Sequence, residues 1–156
     1  MISVEIPRYA ELSLHHLVLD YNGTVAVDGK LIEALKERIE RLSECLEIHV
    51  VTADTFGTVQ ANFRGLPVSV KVLESDDHTQ EKRRFVESLG AENCVAVGNG
   101  NNDAAMLEAA ALGIAVVGEE GCALASLRAA DLVCREPVDA LDLLLSPKRL
   151  VATLRR

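Results

Sequence analysis

Aromatic residues are scarce in this chain: it has no tryptophan, and aromatic residues make up only 3% of its 156 positions. The hydrophobic 49% is therefore mainly valine, leucine, isoleucine and alanine, a composition that favours thin buried strands covered by helices. A chain of this length is most simply one domain. We predict a single domain over residues 1–156, with residues 1–13 as an extra hairpin at its edge.

Basic residues are outnumbered, since 16 Lys and Arg face 24 Asp and Glu and leave a net charge of −8. Nucleic acids require a basic face, so this balance argues against them as partners. It also gives no support for binding to an anionic membrane surface. A phosphate-bearing substrate would need a divalent cation to offset the local negative charge.

Long apolar runs are also missing, because no stretch approaches the ~20 residues that a membrane span needs. The first ten residues include Glu5, Pro7 and Arg8 and lack the apolar core of a signal peptide. The four cysteines are widely spaced and form no Cys-x-x-Cys pair, which is typical of buried thiols in a reducing cytosol. We therefore expect a cytoplasmic protein without a membrane partner.

Short apolar runs recur along the chain, each rich in β-branched residues and bounded by Gly, Asn, Asp or Pro. These runs are predicted as strands buried on both faces and lie at residues 14–19, 46–51, 68–73, 94–97, 114–117 and 131–134. Helical patterns lie between them, at residues 31–42, 80–89, 103–111 and 137–145. This alternation predicts an α/β fold, a three-layer doubly wound parallel sheet.

Asp20 ends the first run and opens the sequence Asp-Tyr-Asn-Gly-Thr. A carboxylate at the end of a buried strand is where open α/β sheets carry their chemistry. The Asn-Gly pair is also a strong hairpin signal, in which residues 17–21 would pair with residues 24–27. Further polar groups near later runs favour the first interpretation: Thr52, Lys82 and the cluster at residues 99–103.

Each of these groups also has a purely structural interpretation. Thr52 fits a helix N-cap, and Lys82 lies in a charged run that is typical of a solvated surface. The cluster imitates a dinucleotide fingerprint, but Asp103 replaces the third glycine and the motif comes late in the chain. The four histidines show no metal-ligand spacing, and His49 is interpreted as a core residue.

Taken in order, four motifs resemble those of the haloacid dehalogenase superfamily, which includes phosphohydrolases and P-type ATPase catalytic domains. They are Asp-Tyr-Asn-Gly-Thr at residues 20–24, Val-Val-Thr-Ala-Asp at 50–54, Lys82, and Gly-Asn-Gly-Asn-Asn-Asp-Ala-Ala-Met-Leu at 98–107. The second and fourth look most like the ATPase branch and its small soluble relatives. The resemblance covers nearly the whole chain outside the first ten residues and implies a Rossmann-like domain without a cap.

The resemblance also implies an Mg²⁺-dependent phosphohydrolase that acts through an aspartyl-phosphate on its nucleophile, Asp20. The implied catalytic residues are Asp20, Asn22, Thr52 and Lys82. The implied phosphate-binding residues are Gly23, Thr24, Ala53 and Asn102. The implied metal ligands are Asp20, Asn22 through its carbonyl, Asn99 and Asp103.

Two positions depart from the pattern of that superfamily. Asn22 stands where most of its phosphatases carry a second Asp that acts as general acid and base, a role commonly worth 10²–10⁴-fold. Asn99 stands where the family usually offers an Asp as a metal ligand. We therefore expect slow turnover and a preference for substrates with good leaving groups, such as acyl phosphates or nucleotides.

A different class of function fits the same departures: a weakened domain that binds a phosphorylated ligand as a regulatory module. A phospho-receiver domain is disfavoured, because it needs an acidic pair after the first strand and the acceptor after the third. The expected partner is a small phosphorylated substrate. Capless members of the superfamily often cover the site with a neighbouring subunit, so a homo-oligomer is also expected.

Overall fold

The computed structural model of the protein describes residues 1–54 and 57–156; Thr55 and Phe56 lie outside the described residues. The strands are β1 (Ile2–Ile6), β2 (Ala10–Leu14), β3 (His16–Asp20), β4 (Ala26–Val27), β5 (Lys30–Leu31), β6 (Glu47–Thr52), β7 (Ser69–Val72), β8 (Cys94–Gly98), β9 (Leu112–Val116) and β10 (Leu132–Cys134). The α-helices are α1 (Leu35–Ser43), α2 (Thr58–Asn62), α3 (His78–Ser88), α4 (Ala104–Ala109), α5 (Leu124–Ala129), α6 (Pro137–Leu145) and α7 (Pro147–Leu154). Short 3₁₀ turns cover Ala91–Asn93 and Asn101–Asp103.

Six strands form the central sheet in the order β10-β9-β8-β3-β6-β7, and every pair in it is parallel. The predicted fold class is therefore confirmed. β3 pairs with β6 on one side and β8 on the other, so Leu17 lies opposite both Ile48 and Val95. The hairpin interpretation of the Asn-Gly pair is consequently wrong.

Side chains of the central strands alternate between two apolar layers, because successive residues of a strand point to opposite faces. Leu17 and Leu19 belong to the core under α1 and α6, whereas Val18 belongs to the core under α3 and α4. All three are essentially inaccessible to solvent. A strand buried on both faces reads as a continuous apolar run, which is why the sequence identified it.

The first predicted helix is wrong at its start. Leu31 lies in β5, and α1 begins only at Leu35. Asp28 and Gly29 both have positive φ, 50° and 74°, and join β4 to β5 as a two-residue hairpin loop. The spacing of four between Leu31 and Leu35 imitates a helical stripe, but the turn chemistry of the two residues decides the local structure.

The predicted N-terminal hairpin is present as β1 and β2, but it forms a two-stranded antiparallel sheet of its own instead of an edge of the main sheet. Its inner residues, among them Ile6 and Leu14, are buried in the same core as α7. The hairpin is thus part of one apolar layer.

No helix in the described part of the chain has the length and apolar character needed to cross a bilayer. All four cysteines are free, and Cys94 and Cys134 are buried whereas Cys45 and Cys122 are partly exposed.

Candidate active site at the carboxyl edge of the sheet

The central position of β3 brings the candidate residues together. In a parallel sheet all strands end at the same edge, and ligands bind where the chain leaves neighbouring strands in opposite directions. The chain continues from β3 to β6 on one side of it, and β8 to β10 lie on the other side. Asp20 ends β3, Thr52 ends β6, and Asn99 follows β8, so the three lie at one switch point.

Lys82 lies at the centre of the site and binds two carboxylates. Its Nζ donates to Asp20 Oδ1 at 2.5 Å and to Asp103 Oδ1 at 2.6 Å, and its side chain is only 2% exposed. Lys82 lies one turn before the buried Val86, so both project from α3 toward the sheet. Asp77 caps this helix by accepting from the Gln80 N–H at 3.0 Å. The solvated-surface interpretation of Lys82 is therefore wrong, although Arg84 beside it is exposed.

The loop after β8 is bent around the Asp103 carboxylate. Asp103 Oδ2 accepts from the backbone N–H groups of Asn99 at 3.0 Å and Gly100 at 2.8 Å. Gly98 leaves room for this arrangement, since a Cβ there would lie 2.6 Å from Asp103 Cγ. Because both lone pairs of Oδ2 are in use, a metal ion could reach Asp103 only through Oδ1 or through a water molecule.

Thr24 links the first and fourth motifs. Its hydroxyl, fully buried, lies 3.2 Å from Asp20 Oδ2 and 3.2 Å from Asn99 Oδ1. The Asn99 side chain in turn donates from Nδ2 to the Gly121 carbonyl at 3.1 Å. Gly23 has a φ of +79°, and a side chain there would collide with Asn99. The glycine of the Asn-Gly pair therefore allows the close approach of the Asn99 side chain.

Asn102 extends the same network, since its Oδ1 accepts from Lys82 Nζ at 3.4 Å. Asn102 is half-buried, and its amide nitrogen is the group that the resemblance implies for phosphate. Thr52, Ala53 and Asn22 lie outside this network. Thr52 is buried and accepts from the Asp54 N–H at 3.0 Å, whereas Ala53 and Asn22 are exposed. Helix α2 has Gly57 as its N-cap, so Thr52 does not cap it.

The centre carries excess negative charge, because two buried carboxylates share one ammonium group. Burial, and then repulsion from Asp103, raise the pKa of Asp20 to about 7, although Lys82 and Thr24 stabilise the carboxylate. Burial alone would lower the pKa of Lys82, but attraction to Asp20 and Asp103 raises it above its usual range. Such opposed environments mark candidate functional sites.

These donors fit a hard divalent cation. Thr24 Oγ1 lies 3.2 Å from oxygens of both Asp20 and Asn99, and Lys82 joins Asp20 to Asp103, so carboxylate and amide oxygens belong to one network at the sheet edge. Oxygen ligands are those that Mg²⁺ prefers. Burial is the main cause of the raised pKa of Asp20, and repulsion from Asp103, the second cause, is one that a cation would offset.

A cavity of about 320 Å³ that the motifs did not reveal opens beside this centre. Its lining comprises Gly23, Thr24, Val27, Ile32, Gly118, Glu119, Arg135, Glu136, Pro137 and Val138. Gly118 and Glu119 follow β9, and Arg135 and Glu136 follow β10, so four of these residues also come from strand ends. Their position after two predicted strands was the available sequence signal.

The charge balance makes the stability of the metal-free protein depend on pH. The pKa of Asp20 rises from 3.8 to about 7 on folding, so across this window the folded protein retains a proton that the unfolded chain releases. The free energy of unfolding should therefore fall as pH rises, by about 1.4 kcal/mol for each pKa unit at most. We expect Asp20→Asn, measured by urea unfolding in EDTA, to become progressively more stable than wild type between pH 4 and 8.

Added Mg²⁺ provides the control for this prediction. It should stabilise wild type at pH 8 and have a smaller effect on Asp20→Asn, which lacks the carboxylate. A stability difference that stays constant with pH would contradict the proposed excess of negative charge.

The protein has a parallel Rossmann-like sheet with a carboxylate–lysine centre at its carboxyl edge. Comparison with known sequences shows which proteins it is similar to. A sequence model of haloacid dehalogenase-like hydrolases matches residues 83–120. An uncharacterised protein of Methanocaldococcus jannaschii is 45% identical over 78 residues, covering 47% of this chain and 84% of that protein. The matched segment supports the haloacid dehalogenase superfamily that the four motifs indicated, and solved structures of its hydrolases share the fold.

The other similarities are more distant or partial. A cadmium-transporting ATPase of Staphylococcus aureus is 32% identical over 100 residues, which are 62% of this chain but only 14% of the ATPase. The 3-deoxy-D-manno-octulosonate 8-phosphate phosphatase of Moraxella catarrhalis, solved with magnesium and phosphate, has a TM-score of 0.72 at 15% identity, covering 91% of this chain and 94% of that chain. The cobalt-bound enzyme of Haemophilus influenzae has a TM-score of 0.72 at 12% identity, covering 92% and 94%. At such identities these structures show a shared fold.

Proposed function

We propose that the protein is an Mg²⁺-dependent phosphohydrolase that acts through an aspartyl-phosphate on Asp20. The observation that carries the proposal is the buried Lys82 ammonium, which bridges Asp20 and Asp103 at the carboxyl end of β3. A lysine in this position holds the nucleophile and neutralises charge on a transferring phosphoryl group. The phosphatase structures that share the fold support the same reaction class.

In the first step an Asp20 oxygen forms a bond to phosphorus while the bond to the leaving oxygen breaks and its electron pair departs with the leaving group. Lys82 and Asn102 stabilise the phosphoryl oxygens. Water then attacks the phosphorus, releases phosphate and regenerates the Asp20 carboxylate. Bound Mg²⁺, held by Asp20, Asn99 and Asp103 with the Asn22 carbonyl, would offset the negative charge of nucleophile and substrate.

The remaining parts of the substrate would lie in the cavity beside Gly23 and Thr24. Asn22 cannot act as a general acid toward a leaving group, because a carboxamide has no proton that ionises near neutral pH. Substrates whose leaving groups depart as anions, such as acyl phosphates and nucleoside triphosphates, should therefore react fastest. The substrate is thus proposed to be a small phosphorylated molecule of this kind.

The test is phosphate release from acetyl phosphate and nucleoside triphosphates with Mg²⁺ and with EDTA. We expect release by wild type that requires Mg²⁺ and that Asp20→Ala abolishes. Beryllium fluoride should protect wild type, but not the variant, against thermal unfolding. Undiminished Mg²⁺-dependent release by Asp20→Ala would show that the nucleophile is assigned wrongly.

A second candidate function is phosphate-ligand binding without turnover. The observation that favours it is Asn99, whose amide donates to the Gly121 carbonyl and so uses a hydrogen that aspartate lacks. Asn22 and Asn99 together remove two negative charges from the usual site. Binding of phosphate and Mg²⁺ by wild type, with no release from any substrate tested, would favour this function over the first.

A further inference from the structure

A second cluster of ligating side chains lies at the opposite edge of the sheet. His16 begins β3, while Glu47 and His49 are the first and third residues of β6. One ligand atom from each residue lies within 4.8 Å of the other two. His16 and Asp20 are four residue steps apart on β3, about 13 Å along the strand, so this cluster is distinct from the active site.

The parallel register creates the cluster. His16 pairs with Glu47, and Val18 pairs with His49, so His16 lies diagonally opposite His49 across one strand pair. Side chains two residues apart on a strand share a face, which places Glu47 and His49 on the side of His16. The histidines show no metal-ligand spacing along the chain, because that spacing does not reveal the proximity of His16 and His49.

The distances suit a tetrahedral ion. His16 Nδ1 lies 3.3 Å from His49 Nε2 and 3.5 Å from Glu47 Oε2. Metal–ligand bonds of 2.0–2.2 Å at tetrahedral angles separate neighbouring ligand atoms by about 3.3–3.6 Å. We propose that His16, Glu47 and His49 bind a transition-metal ion of the zinc class, with a fourth position left for water.

The chemistry of the donors selects this class. Two imidazoles and one carboxylate suit zinc, cobalt, nickel or copper, whereas Mg²⁺ prefers oxygen ligands alone. Glu47 is 76% exposed and His16 is 17% exposed, so an ion can enter from solvent. His49 is held by an edge contact with Phe85, with 5.5 Å between the ring centroids.

Cys94 lies beside His16 in the same row of the sheet but does not belong to the site. Its thiol donates hydrogen bonds to the backbone carbonyls of Val86 and Gly90. Burial raises the pKa of this thiol to about 11. The ion would therefore connect only β3 and β6. These two strands carry Asp20 and Thr52 at their other ends, so the site would stabilise the strand pair that supports the active site.

The test is titration with Co²⁺ and Zn²⁺ in excess Mg²⁺, with Asp20→Asn as the background so that the catalytic carboxylate does not compete. One equivalent of Co²⁺ should produce the intense visible absorption of a tetrahedral complex. Zn²⁺ at 100 times its Kd should raise Tm by about 5–11 °C. His16→Gln and His49→Gln should abolish both effects, and Glu47→Gln should weaken them.

The matched control is His15→Gln, which removes the exposed neighbouring histidine and should leave binding unchanged. Because His16 and Glu47 are partly open to solvent, their variants remain testable if His49→Gln fails to fold. The competing arrangement is a metal-free network in which His16 pairs with Glu47 and hydrogen-bonds His49. Absence of stoichiometric binding by the background protein, or binding that survives His16→Gln, would overturn the proposal.

Discussion

Replacing Lys82 with alanine should lower the rate of phosphate release by about 10²–10³-fold and strongly destabilise the protein. The change leaves Asp20 and Asp103 facing each other in a buried site without their shared ammonium. Loss of one partner of a buried ion pair typically costs about 3–5 kcal/mol. Loss of one positioned group that stabilises transition-state charge reduces kcat by about 10²–10³.

The destabilisation should grow with pH. Without Lys82, the pKa of Asp20 would rise further above its unfolded value, so the free energy of unfolding falls more steeply as pH increases. Urea unfolding of wild type and Lys82→Ala at pH 5 and pH 8 measures this difference. Lys82→Met retains the length of the side chain and provides a folded variant for the activity assay if alanine unfolds the protein.

The neighbouring arginines are the matched controls. Arg83 pairs with Glu87 at 2.9 Å on the surface, and Arg84 is exposed. Surface pairs contribute about 0–1 kcal/mol, so Arg83→Ala and Arg84→Ala should retain near-wild-type turnover and stability. Equal losses in all three variants would show that the charged run acts as a unit and that Lys82 has no special role.

The change Asn22→Asp should increase the maximal rate of phosphate release from an alkyl phosphate by about 10²-fold or more. It places a carboxylate two residues after Asp20, where it could protonate a poor leaving group and then activate water. Asn22 is exposed, so the new charge would remain hydrated and the fold should tolerate it. Acetyl phosphate should gain less in the first step, because its leaving group needs no proton.

Asn101→Asp is the control for added charge, since it introduces a carboxylate in the exposed part of the loop after β8 without placing it near the nucleophile in sequence. Maximal rates at saturating Mg²⁺ are the quantity to compare, because extra negative charge near Asp20 could weaken substrate binding. If Asn22→Asp does not accelerate either substrate, the missing acid does not limit the reaction, and the binding function gains support.

Sequence analysis predicted correctly the elements that have a clear local pattern of residues. All six strands of the sheet were predicted, since strands such as β3 and β8 are buried on both faces and appear as continuous apolar runs. Helix α6 was predicted at its observed bounds because Pro137 occupies its first turn. By contrast, α2 and α5 contain five and six residues, too few for a clear helical period.

The sequence identified most residues of the site but not the hydrogen bonds that connect them. Motif order identified four residues: Asp20, Lys82, Asn99 and Asp103. In the structure Thr24 links Asp20 to Asn99, and Lys82 links Asp20 to Asp103. Their catalytic and metal-binding roles remain predictions, as does a homo-oligomeric state. The phosphate-binding role of Thr24 also remains a prediction, and its buried hydroxyl contacts Asp20 and Asn99.

By itself, the sequence indicated a resemblance to the superfamily, and it determined the parallel α/β class and the polar groups at the ends of β3, β6 and β8. Strand burial and motif order can be read from residues that are neighbours in the chain. Only the tertiary structure decided that the Lys82 ammonium is buried between two carboxylates, whose combined charge raises the pKa of Asp20. It also decided that His16 and His49 meet. That contact depends on the register of two strands distant in sequence, and the spacing of residues along the chain does not encode such a register directly.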